Sequence, residues 1–509
     1  MMVPNTRREF LADVGRGMLV ASLGSSVASD LGLAFASAAD APDVLNFGKL
    51  EPLVALLQET PTNKLMPVLV ARLKDGLDLR TLVAAGALAN ARSFGGQHYE
   101  GYHTFMALAP AFEMSKELPE AQKPLPVLKV LYRNATHIQA SGGRAKEILH
   151  PVKPTPVPEG KVGGEALQEL TRKFNTKEAE GVFASLAQDK PEDAFNHVLY
   201  CVEDDINVHR TVLAWRSWAM LDFTGPEHAH TLLRQSVRFC CNEKGGPQGA
   251  AIRKLLPQLL DQNKLVGKKL GSREGDAAWV EALAKVVYSS GREKAAEAVA
   301  IALTEGFSPT SITEALSVAA NQLLLNDPGR PEANGGKAKG TVHGDSVGLH
   351  ASDAANAWGH IAAVSNQRNT VASLIVGAFH TAGQNGGQLK DAYHTPELEK
   401  IKASDAATFL KQTDEAVRTG NQALAAALVQ KYGEAGNPER AVFDLLLKYG
   451  VSEDGALHAE KYYRTASEEF ATMRSAFKWR QLVSLARVTA SEYGRTAPGY
   501  DEARKLLGV

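Results

Sequence analysis

The sequence predicts an all-α fold, with stacked helical hairpins around a central cleft and no strict solenoid repeat. Three observations predict it. Alanine, leucine and glutamate recur at helical spacing along most of the chain. Aromatics are only 7% of residues and β-branched runs are few, which leaves little material for strands. Stretches of helical length follow one another across short connections, as in antiparallel helical neighbours.

The N-terminus reads as an address. Thr6-Arg7-Arg8-Glu9-Phe10-Leu11 resembles the twin-arginine translocation signal. It precedes a mildly apolar run over 17–36 and a small-x-small cleavage site at Ala34-Phe35-Ala36. That run contains Gly24, Ser25, Ser26 and Asp30, so it falls short of the roughly 20 apolar residues of a membrane anchor. We therefore expect residues 1–36 to be a twin-arginine leader, with the export machinery as partner. The mature protein is then periplasmic or extracellular and lacks an integral membrane segment.

Residues 40–150 read as a first helical region. Gly95-Gly96 breaks it before a helix through His103, and a later helix carries Asn134 and His137. Residues 151–164, PVKPTPVPEGKVGG, read as an extended linker, because proline stiffens the chain and removes donors. Residues 165–325 form a middle helical region of short helices. Residues 326–348, rich in Gly, Pro and Asn, read as a long loop of the kind that covers or binds. Residues 349–509 complete a C-terminal helical region. Within it, Ser352 and Asp353 suit a helix start. Ser352, Asn356 and His360 share a polar stripe opposite Ala354, Ala355, Trp358, Ile361 and Ala362. His380 ends the following helix, where the dipole would favour its protonated form. One or two long helices are expected from Asp454 to Tyr493.

Composition excludes some functions. The formal net charge is -1 with 22% charged residues, so no strong field points to nucleic acid or an anionic membrane. Cys201, Cys240 and Cys241 are an odd set with an adjacent pair and read as buried small hydrophobes; a Cys201–Cys240 bridge stays open. There is no GxxxxGK[ST], HExxH, GxSxG, CxxC or CxxCH motif.

Candidate chemistry therefore rests on the 14 histidines. His197, Cys201, Asp205 and His209 stand at i+4 steps and are all metal-binding residue types. The run Asp204-Asp205-Ile206-Asn207 nevertheless looks like a helix end and a new cap, which leaves His209 as the better candidate. His98 and His103 flank a glycine-containing turn and could face one centre, or simply pack with Tyr99 and Tyr102. His458 and Tyr462 lie one turn apart beside Lys461, a set suited to proton transfer or to binding an anion, or else a solvated charged face with its tyrosines docked on the core. His228 and His230, at a helix start, are expected at the surface.

The landmarks GYHTFMALAPAFEMS, NVHRTVLAWRSWAMLDFTGPEHAHTLLRQSVRF, GLHASDAANAWGHI and HAEKYYRTASEEF, in this order, resemble a bacterial family of twin-arginine-exported, all-helical proteins that carries no established activity. LHASDAANAWGHI is also similar to questin oxidase-like proteins, which are helical and linked to ring-opening oxygenation without a flavin. The first resemblance carries over His103, His209, His350 and His458, one per landmark, with Tyr462 as a further aromatic. The export route and the likeness to questin oxidase-like proteins together imply an exported helical enzyme, an oxidoreductase or oxygenase, acting on a small molecule at a histidine-lined site. The four histidines would ligate a transition metal (iron, copper or zinc) or act as base and orienters. The alternative is a non-enzymatic helical scaffold or binding protein of the cell envelope whose histidines are satisfied core or surface residues.

Overall fold

A computed structural model describes residues 44–333, 337–342 and 346–509. The leader expected over 1–36, and His343, lie outside the described residues. The chain is all-α: helices make up 70% of it, and no strand occurs among the described residues. The expected hairpins form. Tyr99–Lys116 packs on Pro124–Ala140, Pro309–Leu325 on Val347–Val364, Val347–Val364 on Gln367–Thr381, and Gln422–Glu434 on Trp479–Glu492. One contiguous apolar core runs from Phe47 to Ala503, so the three helical regions are parts of a single packed body. No described helix is long and apolar enough to cross a membrane.

Within that body, four helices form a closed ring. They are α1 (Tyr99–Lys116), α2 (Val208–Ala219), α3 (Val347–Val364) and α4 (His458–Thr472). Each packs on the next, and α4 returns to α1. Their side-chain pairs show that all four run the same way. Down α3 and α4, Thr465 Oγ1 donates to Asp353 Oδ1 at 2.8 Å, Asn356 Nδ2 to Glu469 Oε1 at 2.9 Å, and His360 Nε2 lies 3.1 Å from Glu468 Oε2. Trp215 of α2 stacks on His360 of α3 at 4.6 Å. Arg464 of α4 lies 3.9 Å from Glu113 of α1. Parallel neighbours cannot be joined by short turns. Each ring helix is therefore returned by the hairpins that follow it, which is why the ring takes members from distant stretches.

Glycine makes two close approaches that set this ring. Gly96, at φ +76, would place a Cβ 2.4 Å from the Gln235 carbonyl oxygen, so the turn before α1 lies directly against the Ala229–Asn242 helix. A Cβ on Gly348 would meet Leu324 Cα at 2.3 Å, so α3 crosses Pro309–Leu325 at backbone contact. The loop after Leu325 is tied down from inside. Buried Arg487 donates to the carbonyls of Leu324 at 2.6 Å and Asp327 at 2.5 Å, and its guanidinium covers the Tyr393 ring.

The structure corrects several local expectations. α3 starts at Val347, capped by Ser346 Oγ, which accepts from Leu349 N at 3.3 Å. Ser352 and Asp353 are thus interior and buried. The 454–493 stretch, expected as one or two long helices, is two, His458–Thr472 and Trp479–Glu492, with a break between them. His230 is half-buried and stacks on Phe183. The three cysteines are buried free thiols, as the reading of buried small hydrophobes expects, with no Cys201–Cys240 bridge, and Arg210 Nε donates to Cys240 Sγ at 3.2 Å.

His380 also departs from expectation. It is 6% exposed, and Trp358 Nε1 donates to its Nδ1 at 3.2 Å. Burial first, then Arg292, pushes it down to about 3, so desolvation outweighs the dipole. Burial and Arg234 likewise push His230 down to about 4. In the unfolded chain both titrate near 6.5, so the unfolded state holds more protons in acid. The stability they contribute is complete above about pH 6.5 and is lost downward to about 4 for His230 and about 3 for His380. Each contributes roughly 1.4 kcal/mol per pH unit inside its window. Denaturant unfolding at pH 6, 5.5 and 5 is expected to show falling stability. The fall in His380→Gln is expected to be shallower by one histidine's share; an unchanged slope would contradict this.

Candidate functional site: four imidazoles at four helix N-termini

Each ring helix brings one histidine to the same end, within its first turn or two. His103 is on α1, His209 on α2, His350 on α3, and His458 opens α4. Their rings form a closed quadrilateral. Centroids lie 4.7 Å apart for His103–His209, 5.5 Å for His209–His350, 6.1 Å for His350–His458 and 5.1 Å for His103–His458. His103 and His458 are buried, and His209 and His350 are half-buried, so the set closes inward and opens outward. All three helical regions contribute, and the centre sits where they meet.

Local sequence explains each placement. His98 caps α1, its Nδ1 accepting from Gly101 N at 3.3 Å. Asn207 caps α2, its side-chain oxygen accepting from His209 N at 2.9 Å and Arg210 N at 3.4 Å. This breaks the run from His197 to His209: the preceding helix ends at Val202, and Asp205 ion-pairs with Arg210 at 3.7 Å. Only His209 of that stripe reaches the centre. α4 has no side-chain cap. Instead Ala456 and Leu457 take left-handed φ values of 50 and 68 immediately before His458. Two successive non-glycine residues in this region cost on the order of 1–2 kcal/mol each, and they fix the angle at which His458 enters. We expect Ala456→Gly to raise unfolding stability by about 1 kcal/mol while leaving the fold intact. Equilibrium denaturation checks this, and destabilisation would contradict it.

The protonation pattern is defined. Tyr99 O can only accept, so His103 Nδ1, 2.8 Å away, donates to it. The lone pair of His103 is therefore on Nε2, a buried atom without a hydrogen-bond partner. His209 Nε2 and both ring nitrogens of His458 are also buried and unpartnered. Buried nitrogens of this kind are normally satisfied, and here they gather at one place. Burial first, then the nearby Lys461 charge, pushes His103 and His458 far down and His209 to about 3. The positive ends of four helices act in the same sense. These three rings are neutral at pH 7.

Tyrosines and charges surround the quadrilateral. Tyr99 lies 4.2 Å from His103 and 6.0 Å from His209, and Tyr102 lies 4.9 Å and 5.2 Å from the same rings. Lys461, 4% exposed, makes no hydrogen bond or salt bridge among the described residues. Burial lowers it to about 8, while Asp353 and Glu460 pull the other way. Asp353 and Arg216 are buried beneath. The sequence suggested Lys461, with His458 and Tyr462, for proton transfer or anion binding and Tyr99 and Tyr102 as packing at a helix entry; it suggested Asp353 as a helix start, and Arg216 carried no signal. Four histidines near the starts of four helices were the available signal.

Other candidates lie elsewhere. Tyr462 is fully buried but makes no ring contact with the four imidazoles. Its hydroxyl lies toward Ser352 and Ser484 without a well-formed hydrogen bond. It also borders a small cavity with Tyr449, Tyr463, Glu453 and Glu492. His98 stacks on Phe94, away from the centre, and His360 lies further down α3 on Trp215.

As they stand, no three or more His, Cys, Asp or Glu side chains among the described residues form a group that could hold a metal ion. Neighbouring imidazoles sharing one ion with metal–nitrogen bonds of about 2.1 Å have centroids about 5 Å apart. The two His103 edges match this; the two His350 edges are wider. No family model, curated protein or solved structure matches the chain.

Proposed function

We propose that the protein is an exported oxidoreductase whose centre, His103, His209, His350 and His458, binds a transition metal. The observation that carries this reading is that the neutral imidazoles of His103, His209 and His458, each with a buried nitrogen lacking a hydrogen-bond partner, meet at one point beside His350. Neutral nitrogen donors suit iron, copper or zinc, and three pushed-down histidines lose little to protons. The carbonyl of Tyr99, by holding the Nδ1 proton of His103, turns that ring's lone pair inward, as the outer partners of metal-bound histidines do. The ion would bring Lewis acidity and, if redox-active, electron transfer to a bound substrate. Tyr99 and Tyr102 wall one side of the centre, and half-buried His209 and His350 leave it open to a small molecule. The arginine-pair leader fits export after folding, when a metal can already be in place. The likenesses to twin-arginine-exported helical proteins and to questin oxidase-like proteins agree with this class.

A second reading has its own support. Because no donor group among the described residues is already set for an ion, the imidazoles would act without metal, as acid–base groups and orienters on a bound substrate. Elemental analysis of protein purified after export decides between them. The metal reading predicts near-stoichiometric iron, copper or zinc, lost in His209→Ala/His350→Ala. Absence of metal in protein that is folded and exported would overturn it and leave the acid–base reading.

A further inference from the structure

We propose that this centre takes an organic anion, a carboxylate or phenolate, with its charged end drawn in by Lys461 and the four helix N-termini and its apolar body resting on Tyr99 and Val347. The proposal deepens the functional reading above and rests on the four imidazoles being the functional site; it does not require the metal. The charge balance carries it. Four helices of twelve to eighteen residues point their N-termini at one place, and their dipoles favour negative charge there. Lys461 is buried without a hydrogen bond or salt bridge among the described residues.

Three carboxylates of α3 and α4 near the centre are already engaged. Glu460 is held by Lys129, 2.7 Å away. Glu468 is held by Arg464 at 2.6 Å and lies 3.1 Å from His360. Asp353 accepts from Thr465 and shares the interior with both Arg216 and Lys461. A divalent ion in the same ring would add positive charge with no carboxylate ligand to offset it, which strengthens the demand for an anion.

The rim gives the rest of the ligand its character. Tyr99 and Val347, the first residues of α1 and α3, are 55% and 42% exposed. Partly exposed large side chains beside a charged centre fit a ligand with an apolar body.

Calorimetric titration tests the proposal with benzoate, acetate and benzamide as probes, on chelator-treated and on metal-loaded protein. We expect saturable benzoate binding in both forms, about tenfold weaker acetate binding, and no benzamide binding. Lys461→Met, checked for an unchanged helical spectrum, is expected to abolish benzoate binding. Tyr99→Ala, at an exposed position that leaves the core intact, is expected to weaken benzoate by about tenfold and leave acetate unchanged. Equal binding of benzoate and benzamide would overturn the proposal, as would no binding of either anion, or benzoate binding unaffected in both variants. Benzoate binding to a protein that never acquires metal would overturn only the metal reading.

Discussion

Replacing Lys129 by methionine is expected to destabilise the protein by about 3–5 kcal/mol and to disturb the histidine centre. Lys129 and Glu460 form an ion pair at 2.7 Å with side chains 3% and 0% exposed. Lys129 Nζ also donates to the carbonyls of Gly450 at 2.9 Å and Glu453 at 2.7 Å. Removing the ammonium leaves a carboxylate uncompensated in the core and strands two buried carbonyls. Glu460 is two residues after His458 on α4, so relieving its charge by displacement would move His458. Lys129→Met/Glu460→Leu is expected to recover most of the lost stability, because an apolar pair replaces a pair that was costly to bury. Denaturant unfolding of wild type and both variants measures this. A single variant as stable as wild type, or a double variant no better than the single, would refute it.

Trp358→Ala is expected to cost a similar 3–5 kcal/mol. Trp358 is fully buried on α3, with its ring against Gly377 of the next helix. Truncation opens a cavity at a tight helix contact and removes the donor to His380 Nδ1. His380 then has an unpaired buried nitrogen, so the loss exceeds packing alone. Trp358→Phe keeps most of the volume but not the donor, and is expected to lose about half as much. Equal losses in the two variants would show that the hydrogen bond, not the cavity, dominates.

These two sites show what the sequence made legible and what it hid. The helical class follows from local patterning, since apolar spacing on each helix reports its own buried face. Trp358 and its alanine-rich face were readable for that reason, and so were the glycine breaks. The partnership of His103, His209, His350 and His458 was reached through resemblance and one-per-landmark spacing, not periodicity. No local pattern encodes that four helices from distant stretches lie parallel with their N-termini together, since that arrangement arises from how intervening hairpins return the chain. Burial was the other blind spot. His380 looked like a dipole-favoured cation because its helix position was visible and its solvent access was not. Tyr462 looked like a partner of His458 because i+4 residues share a face, yet the centre is met by α4 through His458, with Lys461 close behind.

The central claim is that four imidazoles from four parallel helices serve one centre. Anomalous diffraction at the edge of the metal found by elemental analysis, on crystals of exported protein, tests it most directly. The account predicts a single peak enclosed by His103, His209, His350 and His458. A peak elsewhere in the molecule, with those rings apart and facing bulk water, would contradict it.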